Sequence, residues 1–153
     1  MYAHRLSRQF APILVLSMIL FVSCAPAATP DPTQALVGTW TTSLTKEDIL
    51  RVDPDFHQEA LCDNSGTFVM TFNTDGTFTV DQTPLPECQG QTSGHLESKW
   101  SATGNLITLD KDTPDEGVYE FAINGDRLTL KSQSSNCPPC IAVNTANPWT
   151  RVE

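Results

Sequence analysis

The chain has 153 residues, with nine Lys or Arg against 18 Asp or Glu, and its formal net charge at pH 7 is −9. This excess of negative charge favours solubility, and it opposes binding to nucleic acids or to anionic lipid headgroups because like charges repel. Neither is therefore expected as a partner.

The first 23 residues have the three-part pattern of a secretory signal. Arg5 and Arg8 precede an apolar run over 10–22, and Ser23 supplies a small residue at a cleavage point. The run is shorter than the roughly twenty residues that span a bilayer, although an N-terminal membrane anchor is the alternative. The stretch LFVSC also resembles the bacterial lipobox, which implies cleavage before Cys24 and its lipidation.

Three regions follow from this interpretation: a signal peptide over 1–23, a lipidated N-terminus and tether over 24–35, and one domain over 36–153. Acyl chains such as palmitate on Cys24 would hold the protein on the extracytoplasmic face of a membrane, since each buried methylene contributes about 0.8 kcal/mol. The Ala, Pro and Thr residues after it are typical of a solvated tether. The cleaved chain keeps seven basic and 18 acidic residues, a formal charge of −11.

Two short helices are predicted near the start of the domain. Asp31 and Pro32 supply an N-cap and a first helical residue just before Gly38. Further on, Thr45 and Asp48 have the spacing of a capping box, which would open a helix of about two turns that stops before a proline. An irregular loop is an equally good interpretation of this second segment.

The rest of the domain reads as successive β-hairpins. TFVMTFNTDGTFTVDQ, SKWSATGNLITLD and VYEFAINGDRLTLK each alternate apolar and polar residues around a turn signal. The last two align without a gap at an offset of 21 residues. No connection has the length and apolar spacing of a crossover helix, so the sheet should be antiparallel. Predicted strands cover 38–44, 66–72, 77–82, 96–102, 106–110, 117–123, 127–132 and 148–152.

The alternation also predicts which side chains lie on the apolar face of the sheet and point toward the barrel interior. These are Trp40, Phe68, Met70, Phe72, Phe78, Val80, Trp100, Ile107, Leu109, Phe121, Ile123, Leu128 and Leu130. Eight strands enclose an interior that either side chains or one small ligand can fill, and packing is the interpretation favoured for these residues.

Gly38-Thr39-Trp40 after a short helix, the up-and-down hairpins and Arg151 near the C-terminus together resemble a lipocalin-like domain of bacterial lipoproteins. The resemblance implies an all-β fold, a small antiparallel up-and-down barrel of about eight strands with one or two short helices. In that family the glycine and tryptophan begin the first strand and close the barrel floor, and the arginine stacks on the indole. Gly38, Trp40 and Arg151 are therefore expected to be structural, with the guanidinium within about 6 Å of the ring.

Five cysteines leave one unpaired in an oxidising compartment, and lipidation of Cys24 accounts for it. If Phe72 faces Thr77 across the Asn-Thr-Asp-Gly turn, paired residue numbers add to about 149, and Cys62 then lies one residue from the partner of Cys88. Cys137 and Cys140 remain for each other, which requires a turn at the two prolines between them.

No residue pattern indicates catalysis, a metal or a cofactor. The CPPC segment has redox spacing, but two prolines in a β-rich tail are not expected to begin the helix from which such pairs act. His57 and His95 lack metal-ligand spacing and are interpreted as surface residues. The acidic segment DKDTPDEG lacks the alternation of a calcium loop and is interpreted as a solvated turn.

These features predict a non-enzymatic, membrane-tethered binding module, monomeric, that takes a small apolar ligand at the barrel mouth. The residues expected to contact the ligand are Leu44, Ile49, Leu50 and Phe56, which could equally form a lid. The alternative is a protein–protein adaptor or inhibitor with a solid barrel and recognition loops. Cavity volume separates the two, because a pocket of about 300 Å³ or more favours a ligand.

Overall fold

The computed structural model describes residues 32–88 and 90–152, in which eight strands close into one barrel. The strands are β1 (Gly38–Leu44), β2 (Gly66–Phe72), β3 (Thr77–Thr83), β4 (Gly94–Thr103), β5 (Leu106–Leu109), β6 (Gly117–Asn124), β7 (Arg127–Ser135) and β8 (Trp149–Arg151). Each pairs antiparallel with the next, and β8 pairs with β1. The predicted all-β, up-and-down fold class is confirmed. Cys24 and Asp31 lie outside the described residues.

Of the three α-helices within residues 32–88 and 90–152, two were predicted. Helix α1 (Pro32–Leu36) leads directly into β1, and α2 (Lys46–Val52) follows it. The hydroxyl of Thr45 accepts a hydrogen bond from the amide of Asp48 at 3.2 Å, and the Asp48 carboxylate accepts one from the Thr45 amide at 3.0 Å. This reciprocal capping box satisfies two of the free amides at the helix start. The segment is therefore a helix and not an irregular loop.

The expectation that no helix begins at the CPPC segment was wrong. Helix α3 covers Pro138–Thr145, and Cys137 is its N-cap, with the sulfur accepting a hydrogen bond from the Cys140 amide at 3.2 Å. Proline suits the first turn of a helix because its missing N–H would have no intrahelical partner there. The two prolines therefore start the helix instead of extending the chain. Helix α3 connects β7 to β8, and these two strands pair antiparallel. It is therefore not a crossover between parallel strands, and the predicted antiparallel sheet is unaffected.

The predicted register of the first hairpin was off by one residue. Phe72 faces Phe78, so paired numbers add to 150 and not to 149. The reason is the turn: Asn73 donates to the carbonyl of Thr77, and Gly76 has φ +83°. A type I turn followed by a left-handed glycine adds one residue to the loop. Continued past the ends of the two strands, this numbering pairs position 62 with position 88, so the one-residue offset between Cys62 and Cys88 disappears.

The repeated hairpins have the predicted correspondence. Trp100 pairs with Leu109 in the first, and Phe121 pairs with Leu130 in the second, 21 residues further along on both strands. The same pairing register and the same two-residue turn are therefore used twice in succession.

Eleven of the thirteen predicted inward residues are buried, and Val80 and Ile123 are half-buried against them. The core also contains residues that the alternation did not identify, namely Leu36, Leu44, Tyr119, Ala146 and Trp149. Large aromatic side chains fill the floor half of the barrel, where Trp100 lies edge-on to Phe72 with ring centroids 5.1 Å apart. The floor half of the barrel interior is therefore a packed core.

Candidate functional site

The barrel floor is built from Trp40 and Arg151, as expected from the resemblance. The Arg151 guanidinium carbon lies 4.1 Å from the centroid of the Trp40 ring, and the two residues pair across β1 and β8. Gly38 has φ +125°, and a β-carbon there would lie 2.7 Å from an Arg151 nitrogen. The glycine is thus required both for its backbone conformation and for the space that the guanidinium occupies.

The same two side chains also cap α1. Trp40 Nε1 donates to the Leu36 carbonyl at 2.8 Å, and Arg151 Nη1 donates to the Val37 carbonyl at 3.0 Å. Arg151 Nη2 donates to the Ala35 carbonyl. The last carbonyls of a helix have no intrahelical partner, so these bonds hold α1 across the floor. Gly38, Trp40 and Arg151 have structural roles here.

At the opposite end, the predicted ligand residues form the layer that closes part of the mouth. Ile49 and Phe56 pack with Leu61 and with Ala142 of α3, and Leu50 packs against this cluster. Leu44 is fully buried in the main core. None of Leu44, Ile49, Leu50 and Phe56 lines a described cavity. The physical reason for Ile49, Leu50 and Phe56 is α3, a helix that was not predicted and whose Ala142 packs in the same cluster.

An open cavity of about 260 Å³ lies beside that layer, on the β2–β4 side of the mouth. Its apolar wall consists of Phe68, Phe78, Val80, Leu96, Leu109, Val143 and Trp149. Its polar wall consists of Asn64, Gln82, His95, Asp110 and Asn144, with Gly94 and Cys140 also at its surface. The volume is just below the lower end of the range for small-molecule sites, about 300 Å³. The barrel is therefore neither solid nor roomy.

Part of this lining was predictable from the strands and part was not. Phe68, Phe78, Val80 and Leu109 were identified as inward-facing residues. Val143 and Asn144 come from α3, and its start could have been found from a proline in the first helical turn after an N-cap cysteine. Trp149 follows α3 and is held by a 3.2 Å hydrogen bond from its Nε1 to the Asn144 carbonyl.

The barrel wall is incomplete next to the cavity. Strand β4 pairs with β3 from Gly94 to Lys99, but it pairs with β5 only from Trp100 to Thr103. Leu96, on the part that lacks a β5 partner, lines the cavity and is 47% exposed. A ligand could therefore enter from the side as well as from the mouth.

Most polar groups of the cavity already donate to protein acceptors. The Gln82 amide nitrogen donates to the carbonyls of Asp63 and Ser65, both at 3.0 Å. The Asn64 amide nitrogen donates to the Ala60 carbonyl at 2.9 Å, and the Asn144 amide nitrogen donates to the Tyr119 hydroxyl at 3.1 Å. These bonds fix the orientation of each amide. They leave the three amide oxygens able to accept, and one amide hydrogen each on Asn64 and Asn144.

Asp110 is the acidic residue of the lining, and it comes directly after β5. Burial raises the pKa of its carboxyl, a hydrogen bond from Ser98 works in the opposite direction, and the nearby charge of Asp115 raises it further. Its backbone has φ 53°, in the left-handed region that non-glycine residues rarely adopt. Its segment, DKDTPDEG, was interpreted as a solvated turn, which does not describe this first residue.

His95 belongs to the cavity lining, whereas His57 is an exposed residue outside it, as predicted for a surface histidine. His95 Nδ1 lies 2.6 Å from a carboxylate oxygen of Asp81, and both side chains are 60% exposed. Disulfides join Cys62 to Cys88 and Cys137 to Cys140, with Cα–Cα distances of 5.4 and 5.2 Å. Both predicted pairings are confirmed. The first ties the 3₁₀ turn at Cys62–Asn64 to the loop after β3, and the second closes the first turn of α3.

Over the described parts of the chain, His, Cys, Asp and Glu form no group of three or more that could hold a metal ion. No helix within residues 32–88 and 90–152 is long and apolar enough to cross a membrane. At a significant level the chain matches no family model, no curated protein and no solved structure.

Proposed function

We propose that this protein is a membrane-tethered, extracytoplasmic, lipocalin-like binding module that takes a small apolar ligand in the cavity at its barrel mouth. The observation that carries the proposal is the cavity itself, which is lined mainly by apolar side chains and is open to solvent beside an incomplete wall. A concave apolar site with a few fixed polar groups is the usual form of a small-molecule site.

The filled floor and the open mouth favour this function over an adaptor with a solid barrel. Burying the apolar wall in a ligand would remove surface from water at a gain of about 25 cal/mol per Å². The packed aromatic floor and the two disulfides hold the site in shape before a ligand binds, which lowers the entropy cost of binding. No residue is assigned to catalysis.

Binding can be tested with N-phenyl-1-naphthylamine, a neutral probe whose fluorescence rises in apolar surroundings. The protein should carry Cys24→Ala, so that no acyl chain competes for the cavity. We expect saturable binding to this protein, and loss of binding with Val80→Trp, because the indole fills the cavity. Val69→Trp is the matched control, since Val69 lies on the neighbouring strand β2, outside the cavity lining. No binding to the parent protein, or equal binding by both tryptophan variants, contradicts the proposal.

Tethering has its own test. Replacing Cys24 by Ala should move the protein from the membrane fraction to the soluble fraction, because the acyl chains provide the attachment. Unchanged retention in the membrane fraction would show that another part of the chain holds it there. Native mass spectrometry of the released protein would then show whether a small molecule is bound on purification.

A further inference from the structure

We infer that the cavity selects apolar molecules that carry a positive charge, such as hydrophobic amines and ammonium compounds, with the charged group beside Asp110. This inference rests on the proposed binding function and specifies its ligand class. Three independent properties of the lining lead to it: its charge, its hydrogen-bonding capacity and its aromatic content.

The first property is charge. Asp110 is the one Asp, Glu, Lys or Arg among the described residues that line the cavity. The histidine of the lining, His95, lies against the carboxylate of Asp81, which offsets any positive charge on its ring. Apart from His95, no basic side chain of the described residues lines the cavity. An anionic ligand would therefore lose hydration there without gaining a Lys or Arg partner.

The second property is hydrogen bonding. The amide nitrogens of Asn64, Gln82 and Asn144 all donate to protein acceptors, and Gln82 uses both of its hydrogens. The oxygens of these amides and the Asp110 carboxylate can still accept. A ligand that donates hydrogen bonds, as an ammonium group does, complements these oxygens. A ligand that only accepts could use just the second amide hydrogen of Asn64 and of Asn144.

The third property is aromatic content. Phe68, Phe78 and Trp149 contribute to the wall. The faces of aromatic rings attract cations through the ring quadrupole. The apolar wall can thus hold an alkyl chain and also favour a positive charge, which aliphatic side chains would not do.

Asp110 is held in an unfavourable setting that a cation would relieve. The Asp110 carboxylate is half-buried and therefore less hydrated than an exposed one, although Ser98 donates a hydrogen bond to it. A bound ammonium group would restore the lost electrostatic stabilisation of the carboxylate. Poorly solvated charges of this kind are common at functional sites.

The test compares three ligands of equal chain length, octylammonium, octanoate and 1-octanol, by isothermal titration calorimetry at pH 7 on the Cys24→Ala protein. Octylammonium should bind about tenfold more tightly than 1-octanol, as one partly solvated charge pair would provide, and octanoate should bind most weakly. Asp110→Asn should reduce the difference between octylammonium and 1-octanol to less than about twofold.

Asp112→Asn is the matched control. Asp112 lies two residues further along the same loop, also has a positive φ, 67°, and is exposed outside the cavity lining. Both substitutions remove one negative charge, and asparagine tolerates the left-handed conformation well. The Asp112→Asn protein should keep the tenfold preference, which separates the effect of the site from that of net charge.

Four outcomes would overturn the inference. If octanoate binds as tightly as octylammonium, or if Asp110→Asn keeps the full preference, the ligand class is wrong while the proposed binding function stands. If both asparagine variants lose the preference equally, general surface charge is responsible. If none of the three ligands binds and the neutral naphthylamine also fails to bind, both the inference and the proposed function fall.

Discussion

Replacing Arg151 by methionine should open the barrel floor and lower the stability of the domain. The guanidinium stacks 4.1 Å from the Trp40 ring centroid and donates to two carbonyls near the end of α1. Methionine keeps much of the side-chain length and its apolar surface, but it cannot donate a hydrogen bond and carries no charge. The substitution therefore removes the polar and cation–π interactions while disturbing the packing little.

The magnitude follows from these interactions. The cation–π contact is worth about 0.5–2 kcal/mol. Each hydrogen bond from the guanidinium contributes about 0.5–1 kcal/mol, at the lower end of the usual range because Arg151 is partly exposed and water can replace it. The expected loss in the free energy of unfolding is about 1.5–4 kcal/mol. For a domain of this size each kcal/mol shifts the melting temperature by roughly 4 °C, so the shift should be roughly 6–16 °C.

Thermal unfolding followed by circular dichroism measures the effect, and Arg127→Met is the matched control. Arg127 begins β7 at the same end of the barrel, and its side chain is exposed. Its replacement makes the same change in charge and should shift the stability by less than about 0.5 kcal/mol. Arg151→Lys should give an intermediate loss, because an ammonium group keeps the charge but not the planar fork. Equal melting temperatures for the Arg151→Met and Arg127→Met proteins would refute this account of the floor.

Gly38 provides an independent check on the same contact. A methyl group at this position would meet the guanidinium, and the backbone conformation there is unfavourable for alanine. Gly38→Ala should thus displace Arg151 and lose part of the same stabilisation. The Gly38→Ala, Arg151→Met double variant should consequently be less destabilised than the two single variants added together. Simple additivity would mean that the two residues do not interact.

Three further measurements test other parts of the structure. Burial raises the pKa of the Asp110 carboxyl, so the folded protein binds a proton there more tightly than the unfolded chain does. The free energy of unfolding should therefore fall as the pH rises through that pKa. Asp110→Asn should stabilise the free protein at pH 7 and not below about pH 3. The capping-box hydrogen bond from the Thr45 backbone, together with Arg51, lowers the pKa of Asp48 to about 2; Asp48→Asn should therefore cost about 1 kcal/mol at pH 7, after allowance for solvent, and almost nothing near pH 2. Replacing both Cys62 and Cys88 by serine should cost about 3–4 kcal/mol in chemical denaturation, against about 2 kcal/mol for the other disulfide, because the longer loop loses more entropy in the unfolded chain. Equal losses for the two disulfides, or pH-independent effects of the two asparagine variants, would contradict these expectations.

Local patterns in the sequence were enough to predict the strands and the core. Phe68, Met70 and Phe72 alternate with polar residues, and only one face of a strand can be buried against the barrel interior. The capping box at Thr45 lies within four residues of sequence, and so its helix could be anticipated. Where local chemistry permitted two turn geometries, as at Gly76, the register was wrong by one residue.

The candidate site depended on contacts between distant parts of the chain. The cavity exists because α3 lies in the mouth beside β7 and leaves the β2–β4 side open. The position of α3 is fixed by long-range hydrogen bonds, such as the one that Arg51 donates to the Ala146 carbonyl, 95 residues away. Asp110 belongs to a segment whose composition is that of a solvated turn, yet the end of β5 places it at the cavity. Periodicity and capping specify which residues form a strand or helix, because these are interactions over a few residues. The space left between such elements is decided by their packing, and only the tertiary structure of this protein shows that one acidic side chain lies beside an apolar cavity.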